Sequence, residues 1–342
     1  MSGTRSAPPA ILAVDGGNSK ADLALVAADG ALLGAVRGTS ISHQAVGLES
    51  GMAELGRLAE CLADAAGIVR AGSPLARRGV FCLAGADYPE DVSLLREAIA
   101  ALNLTSELDI RNDTFGALRA GTHQPWGVVL ICGRGINGAG VAPNGTTVRF
   151  DGVGTYSGDW GGGGGVGHAA IAAAVRSRDG RGPRTRLEQI VPAFFEVASP
   201  PELTKGLYLG ELSSHKITEL APLVFQAAVD GDEVARSIID RLADELLAMA
   251  GALVRRLRLG SLQPEIVLAG SVFRTTDAAF HDRLQRGLQG VAPGAEVHRL
   301  DTPPVLGPAL IALDAMSPTG ATPPAIEAAL RKAMQAWAAR PG

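Results

Sequence analysis

Two glycine-rich loops, each following an apolar stretch, are the parts of the sequence best suited to bind phosphate. The first loop consists of Asp15, Gly16, Gly17, Asn18, Ser19 and Lys20, and the second of Gly133, Arg134 and Gly135. Backbone N–H groups can converge on phosphate oxygens where no side chain blocks them. A hairpin glycine can also be only a turn residue, but the equivalent positions of these two loops in a repeated unit favour phosphate binding.

Two aspartates stand where a carboxylate could take part in phosphoryl transfer. Asp15 suits Mg²⁺ bound through water, and the hydroxyl and amine groups that follow it suit phosphate oxygens. Asp113 follows a predicted strand and precedes a predicted helix, where its carboxylate can face a cleft and act as a general base. The alternative is that Asp113, or Asn112 before it, caps the helix.

A glycine-rich segment at residues 151–168 is the third candidate. It is too rich in glycine for a regular element and is predicted to form a mobile loop that closes over a substrate. Asp159 is suited to bind sugar hydroxyl groups. Trp160 either stacks on a sugar ring or anchors the loop in the core.

These candidates belong to a strand, loop, strand, hairpin, strand unit that occurs twice, at residues 10–36 and 127–150. Such a repeat predicts two related lobes that face each other. Strands alternate with helices over residues 47–120, which indicates a mixed sheet with helices on its faces. After residue 150 the pattern is mostly helical up to about residue 259. Residues Glu265 to Ala269 are predicted to form a buried strand.

The length of 342 residues suits two domains of about 150 residues each. We predict a first domain over residues 1–122 and a second over residues 123–318, with a helical insertion. An amphipathic helix within residues 319–342 either returns to the first domain or caps the second.

Composition excludes several classes of function. The net charge of −4 and the lack of a dense Lys/Arg stripe argue against nucleic acid as a partner. No apolar stretch is long enough to span a membrane, and Met1 to Pro9 lacks the features of a signal peptide, so we expect a cytoplasmic protein. The three cysteines and six histidines are dispersed, without the spacing of a disulfide framework or a zinc site.

Together these motifs resemble the N-acetylglucosamine kinases and the related BadF/BadG/BcrA/BcrD-type ATPases of the actin and hexokinase superfamily. The resemblance runs from about Ile11 to Ala315. It implies an α/β fold with two ribonuclease-H-like (actin-like ATPase) domains and an interlobe cleft that binds Mg-ATP. It also implies that Asp15 organises Mg²⁺ and that Asp113 takes the proton from the attacking sugar hydroxyl, in preference to capping.

The same resemblance implies the ligand contacts. Sugar contacts are expected at Ser42, His43, Asn112, Asn137, Asp159 and Trp160. Adenosine contacts are expected at Gly270, Ser271 and Gly307. The chain departs from the family pattern at Arg134 and Ile136, which replace hydroxyl residues, and at residues 163–168, where an acidic block is missing. Phosphoryl transfer is therefore better supported than N-acetylglucosamine itself as the acceptor.

The sequence predicts an ATP-dependent kinase that acts on an amino sugar or a related sugar. The resemblance to the family also implies a homodimer. One alternative is an ATP-driven activator of an electron-transfer enzyme, which would need cysteine ligands for an iron–sulfur cluster. Another is a nucleotide-binding regulator without catalysis.

Overall fold

The computed structural model describes residues 9–69 and 72–340. Residues 1–8, which make up most of the segment in which we find no signal peptide, lie outside the described residues. Within the described ranges, none of the helices combines the length and the apolar character that crossing a membrane requires.

The described residues form ten strands, twelve α-helices and three 3₁₀ turns. The strands are β1 (Pro9–Gly16), β2 (Lys20–Ala27), β3 (Leu32–Thr39), β4 (Ala76–Leu83), β5 (Thr105–Asn112), β6 (Gly127–Cys132), β7 (Ile136–Val141), β8 (Thr147–Arg149), β9 (Glu265–Ala269) and β10 (Glu296–Arg299). The helices are α1 (His43–Val46), α2 (Leu48–Ala65), α3 (Pro89–Ala101), α4 (Asp113–Gly121), α5 (Gly162–Asp179), α6 (Leu187–Phe194), α7 (Pro200–Leu209), α8 (Ala221–Val229), α9 (Glu233–Arg256), α10 (Ala278–Val291), α11 (Leu306–Met316) and α12 (Pro324–Ala338). The 3₁₀ turns span Gly154–Ser157, Ser214–Leu220 and Ser271–Arg274.

The two sheets share one topology. The first has the strand order β3-β2-β1-β4-β5, and the second has the order β10-β9-β6-β7-β8. When the strands of each sheet are numbered by their order in the chain, the first sheet reads third, second, first, fourth, fifth. The second sheet gives the same order when it is read from β8 to β10. The predicted α/β class, with two related halves, is therefore confirmed.

The chain divides into two compact units. The described parts of the first are residues 9–69, 72–129, 143–145 and 300–340, and those of the second are residues 130–142 and 146–299. The predicted domains differ from this division mainly at the C-terminal end. Residues 300–318 belong to the first unit, whereas the sequence placed them in the second domain. The last helix, α12, also belongs to the first unit.

The first sheet is covered on both faces, which explains the continuous apolar runs of its central strands. In β1, Leu12 and Val14 pack on one face with residues of α2 and α3. Ile11 and Ala13 pack on the other face with residues of α4, α11 and α12.

Helix α11 joins the first unit because its residues 306–314 are all buried and it fits closely against α4. A Cβ atom added at Gly307 would lie 1.9 Å from the carbonyl oxygen of Gly116, so that the two helices touch through their backbones. A buried ion cluster reinforces this packing, since Arg119 of α4 pairs with Asp314 of α11 and Glu327 of α12, both at 2.7 Å. Such long-range contacts leave no local pattern in the sequence.

The glycine-rich segment is only partly a loop, and the expectation of a loop throughout residues 151–168 is wrong. Helix α5 begins at Gly162. A Cβ atom would lie 2.3 Å from the Thr218 carbonyl oxygen at Gly163 and 2.1 Å from the Ile217 carbonyl oxygen at Gly167. These two glycines, one helical turn apart, therefore let the helix approach the backbone of the 3₁₀ turn Ser214–Leu220.

Candidate active site

A row of polar side chains crosses the first sheet at the end of β1. Asp15 lies opposite Asp22 of β2 on one side and opposite Cys82 of β4 on the other. Asp22 lies opposite Arg37 of β3, and Cys82 lies opposite Arg111 of β5. Opposed residues on neighbouring strands share a face of the sheet. Because Cys82 packs with residues of α4 and α11, this is the face that those helices cover.

Asp15 sits in an unfavourable environment for a negative charge. Its burial, and then the carboxylates of Asp113 and Asp22, raise the pKa of Asp15 to about 8, against the opposing influence of Lys20 and Arg37. A carboxylate in this setting gains from a cation that neutralises it.

Asp113 is the first residue of α4, and Asn112 caps the helix. The Asn112 side-chain oxygen accepts hydrogen bonds from the Thr114 amide at 3.1 Å and the Thr114 hydroxyl at 2.7 Å. The Asn112 amide donates to Asp87 at 2.9 Å. The capping alternative therefore applies to Asn112, while Asp113 is half-buried on the same face of the sheet as Asp15. The observed role of Asn112 is to cap α4. A direct contact between Asn112 and the sugar stays a prediction.

Close packing brings the start of α4 to this position. A Cβ atom at Gly116 would lie 2.9 Å from the Cβ atom of Cys82, so that the helix rests directly on β4. Since Cys82 is the neighbour of Asp15 in the row, α4 carries Asp113 towards Asp15.

The first glycine loop is a tight turn between β1 and β2. The Gly17 amide donates to the Lys20 carbonyl at 2.9 Å, and Asn18, Ser19 and Lys20 are exposed. Gly16 is buried, with Leu83 where a Cβ atom would be. The turn thus presents polar side chains to solvent beside Asp15, as a phosphate site would require.

Ser42 and His43 follow β3 and contain buried polar atoms without a hydrogen-bond partner in the described part of the protein. These atoms are Oγ of Ser42 and Nδ1 of His43. Ser40 connects this segment to the phosphate loop, because its hydroxyl donates to the Gly17 carbonyl at 3.0 Å and accepts from the Ser42 amide at 3.1 Å. Buried polar atoms are nearly always paired, so Ser42 and His43 indicate a place for a polar ligand.

The second glycine loop joins β6 to β7 in the second unit. A Cβ atom at Gly133 or Gly135 would meet nothing within 4 Å, so the space in front of the loop is open. The Gly133 and Arg134 carbonyls accept hydrogen bonds from the Gly163 and Gly164 amides at 2.8 and 2.9 Å. The first turn of α5 thereby holds the loop in place.

A cavity of about 650 Å³ opens beside this loop within the second unit. Its polar lining includes Arg134, Glu219, Gln226 and Ser271, and its apolar lining includes Phe225. Gly270 lies against the Cys132 carbonyl oxygen, where a Cβ atom would be 2.3 Å away. The cavity has the size of a small-molecule site, mostly apolar with a few polar groups.

The remaining residues predicted in this unit have local partners. Asn137 is half-buried, and its side-chain oxygen accepts from the Gly138 amide at 2.7 Å. Asp159 accepts hydrogen bonds from the Ser157 hydroxyl and the Gly154 amide, which stabilises the 3₁₀ turn.

Trp160 is covered on a ring face by Arg241, whose guanidinium carbon lies 3.8 Å from the ring centre. This contact favours the anchoring interpretation of Trp160. Its stacking on a sugar stays a prediction.

Comparison with known proteins decides the family. The sequence profile of the BadF/BadG/BcrA/BcrD ATPase family matches residues 12–312. The chain belongs to this family. The family predicted from the sequence motifs is therefore confirmed.

Two curated relatives of this BadF-family chain are kinases by name. One is the N-acetylmuramic acid/N-acetylglucosamine kinase of Clostridium acetobutylicum, 28% identical over 88% of this chain and 97% of the relative. The other is the N-acetyl-D-glucosamine kinase of Dictyostelium discoideum, 29% identical over 69% of this chain and 76% of the relative. Both names fall in the class of enzyme that the sequence predicted.

A solved structure has the same fold. It is a protein from Chromobacterium violaceum, provisionally described as an N-acetylglucosamine kinase, with a TM-score of 0.68 and 21% identity. The match covers 90% of this chain and 99% of that protein. The fold of this BadF-family chain is thus that of a two-lobed actin-like ATPase.

Gly307 is placed differently from the other residues predicted to contact adenosine. Ser271 lines the cavity of the second unit and Gly270 precedes it, whereas Gly307 lies in the first unit, buried against Gly116. Close helix packing accounts for a glycine at position 307, and a nucleotide contact there stays a prediction.

Sequence reasoning missed several residues of both units. In the first unit these are Asp22, Arg37, Ser40, Asp87 and Asp91; in the second they are the cavity residues of α8 and of the turn before it. Asp22 and Arg37 stand out as charged residues within largely apolar strands, but their pairing depends on the register of β2 against β3. The cavity residues look like ordinary helix residues in the sequence.

The carboxylates of the first unit can be compared with the ligands that Mg²⁺ requires. Within the described ranges, no three His, Cys, Asp or Glu side chains are grouped so that they could hold a metal ion by themselves. Mg²⁺ in phosphoryl-transfer sites takes one or two carboxylates and completes its coordination with phosphate oxygens and water. Asp15, with Asp113 close enough for its carboxylate to raise the pKa of Asp15, fits that requirement.

Proposed function

We propose that this chain is an ATP-dependent kinase that transfers the γ-phosphoryl group of Mg-ATP to a hydroxyl group of an amino sugar of the N-acetylglucosamine class. The observation that carries the proposal is that Asp113 begins α4 near enough to Asp15 to raise its pKa, while Asn112 caps the helix. The arrangement supplies one carboxylate for a cation and a second for a proton. The names of both curated relatives support the class of acceptor.

The acceptor site is proposed to include Ser42 and His43. Their buried Oγ and Nδ1 atoms have no partner among the described residues, as expected where sugar hydroxyl groups bind. Asn137, Asp159 and Trp160 are proposed as further contacts from the second unit.

The glycine loop of each unit is proposed as a nucleotide-binding element. In the second unit, the nucleoside would occupy the cavity of about 650 Å³, with Ser271 at its wall and the guanidinium of Arg134 near the phosphates. In the first unit, the turn from Gly16 to Lys20 would bind phosphate oxygens. An arginine in the second loop offers a charged donor where the family pattern has a hydroxyl residue.

The proposed reaction is a direct displacement at phosphorus. The sugar hydroxyl oxygen forms a bond to the γ-phosphorus, its proton passes to the Asp113 carboxylate, and the bond from the γ-phosphorus to the β–γ bridging oxygen breaks to release ADP. Mg²⁺ held near Asp15 would neutralise charge on the phosphates. Lys20, exposed at the end of the turn, adds positive charge there.

The activator alternative needs cysteine thiolates that can bind an iron–sulfur cluster. Cys82 and Cys132 are buried, and burial raises the pKa of both thiols, that of Cys132 to about 12. The two cysteines also lie in different sheets. These observations favour the kinase over the activator.

The test is ADP release with Mg-ATP against a panel of hexoses, amino sugars, N-acetylated sugars and cyclitols. Wild type is expected to turn over with an amino sugar, and Asp113→Asn is expected to lower kcat by about 10²- to 10⁴-fold, the contribution of a general base. Asp64→Asn, the same change at an exposed position of α2, serves as the control. ATP binding without turnover on any acceptor would contradict the proposal.

A further inference from the structure

Asp91, at the start of α3, has a carboxylate whose two oxygens face different partners. Oδ2 accepts hydrogen bonds from the Tyr88 amide at 2.9 Å and from the Asp87 amide at 3.3 Å, which fixes the side chain at the helix terminus. Oδ1 lies 3.4 Å from Nε2 of His43. The position of this carboxylate against the imidazole is therefore set by the backbone immediately before α3.

His43 has two ring nitrogens in unlike surroundings. Nε2 faces Asp91, while Nδ1 is buried and has no partner among the described residues. The side chain of His43 is only 11% exposed, and the neighbouring Ser42, whose Oγ is also unpartnered, is 3% exposed. Both atoms are thus in position to bind a ligand and are shielded from bulk solvent.

The charge of Asp91 determines which nitrogen of His43 carries the proton. An ionised carboxylate only accepts hydrogen bonds, so the nitrogen that faces it is favoured to hold the proton. A neutral imidazole then has a lone pair on the other nitrogen. Nδ1 of His43 is consequently a hydrogen-bond acceptor, and the group that matches it is a donor such as a hydroxyl.

We propose that Asp91 is a positioning residue that holds His43 in the tautomer with the proton on Nε2, so that Nδ1 and Ser42 Oγ together bind one hydroxyl group of the sugar acceptor. This inference rests on the proposed sugar kinase function and adds the residue that sets donor and acceptor roles in its site. An acceptor that lacks this hydroxyl leaves Nδ1 unpaired, which weakens binding.

The first experiment determines the tautomer without any activity measurement. Nitrogen-15 NMR of the full-length protein at neutral pH distinguishes the two neutral tautomers and the imidazolium, and a His43→Gln variant assigns the signal. Wild type is expected to carry the proton on Nε2. A proton on Nδ1, or on both nitrogens, would overturn the inference whatever the protein phosphorylates.

Asp91→Asn reverses the predicted tautomer. The Asn oxygen can keep the helix cap, which turns its NH₂ group towards Nε2 of His43 and moves the ring proton to Nδ1. The sugar KM is expected to rise roughly tenfold through the loss of one buried hydrogen bond, while the ATP KM stays within about twofold. Glu90→Gln, which removes a charge from the same turn of α3 on an exposed side chain, is the matched control.

Monodeoxy analogues of N-acetylglucosamine identify the hydroxyl. One analogue is expected to bind wild type about tenfold more weakly than the parent sugar and to lose that difference in Asp91→Asn. A reversed tautomer with an unchanged sugar KM would refute the role of Asp91 while leaving the kinase intact. If the wild-type protein phosphorylates none of the sugars, the proposed function is refuted, and the sugar part of this inference with it. If Asp91→Asn does not fold, the tautomer of His43 in the wild-type protein still tests the inference.

Discussion

Asp15 and Asp22 lie directly opposite each other on neighbouring antiparallel strands, and both carboxylates are buried. Two such charges repel, and the structure resolves the conflict with a third strand. Arg37 donates two hydrogen bonds to Asp22, at 2.6 and 2.8 Å. Asp22 thereby becomes part of the scaffold, whereas Asp15 keeps a raised pKa beside the turn that we propose binds phosphate.

Replacing the arginine of this pair should destabilise the first unit. Arg37→Met leaves the Asp22 carboxylate, which is 0% exposed, with only the half-exposed Lys20 ammonium group, 3.7 Å away, as a cation. We expect a loss of about 2–4 kcal/mol in the free energy of unfolding, in the lower part of that range because Arg37 itself is 43% exposed. Urea denaturation measures the loss. Arg77→Met, which breaks an exposed ion pair with Glu107, should lower the free energy of unfolding much less, because that pair stays in contact with water. Equal losses in both variants would contradict a stabilising role of the buried pair.

Asp232 should make the stability of the second unit depend on pH. Burial raises the pKa of Asp232, but hydrogen bonds from the Ala235 and Arg186 amides and the Thr185 hydroxyl outweigh burial and lower the pKa below its ordinary value. A carboxyl with a lowered pKa contributes stability above its unfolded-state pKa and loses that contribution as pH falls through the folded-state pKa.

We therefore expect Asp232→Asn to lower stability by about 1–3 kcal/mol at pH 7, with a difference from wild type that shrinks below about pH 4. Thermal unfolding across this pH range measures the effect. The exposed Asp230→Asn variant is the control, and a difference that grows on acidification would show that the sign is wrong.

Gly307 should tolerate no side chain, because a Cβ atom there would overlap the carbonyl oxygen of Gly116. Gly307→Ala is expected to cost at least about 2 kcal/mol, since backbone has to move. Gly290→Ala changes a glycine of α10 that has open space around it, and helix propensity predicts a gain of about 0.5–1 kcal/mol. Denaturation curves of both variants compare the same substitution in two helices; a neutral Gly307→Ala would refute the close packing.

The three cysteines should differ in reactivity. Cys61 is exposed, whereas Cys82 and Cys132 are buried and burial raises the pKa of both thiols. A thiol reagent applied to the native protein is expected to modify Cys61 quickly and the other two only after unfolding. Mass spectrometry of the labelled protein identifies the sites. Rapid labelling of Cys82 or Cys132 would reopen the activator hypothesis.

Local sequence patterns were sufficient for much of the architecture. Apolar runs that end in glycine turns located the central strands of both sheets, and their repetition predicted two related halves, because strand period and turn chemistry are properties of neighbouring residues. The position of Asp113 between a strand and a helix is visible in the same way. The sequence does not show whether Asp113 or Asn112 caps that helix, because the spacing permits either.

Tertiary structure decided what the same residues do. Glycines at residues 162–167 begin a helix instead of a flexible loop, because Gly163 and Gly167 meet the backbone of a segment about fifty residues later. Gly307 packs against Gly116 across a still longer stretch of chain. The residues that support the candidate site, Asp22 with Arg37 and Asp91 with His43, are paired by strand register and helix placement. Their partners are distant in sequence, so only folding brings together the charges that set their roles.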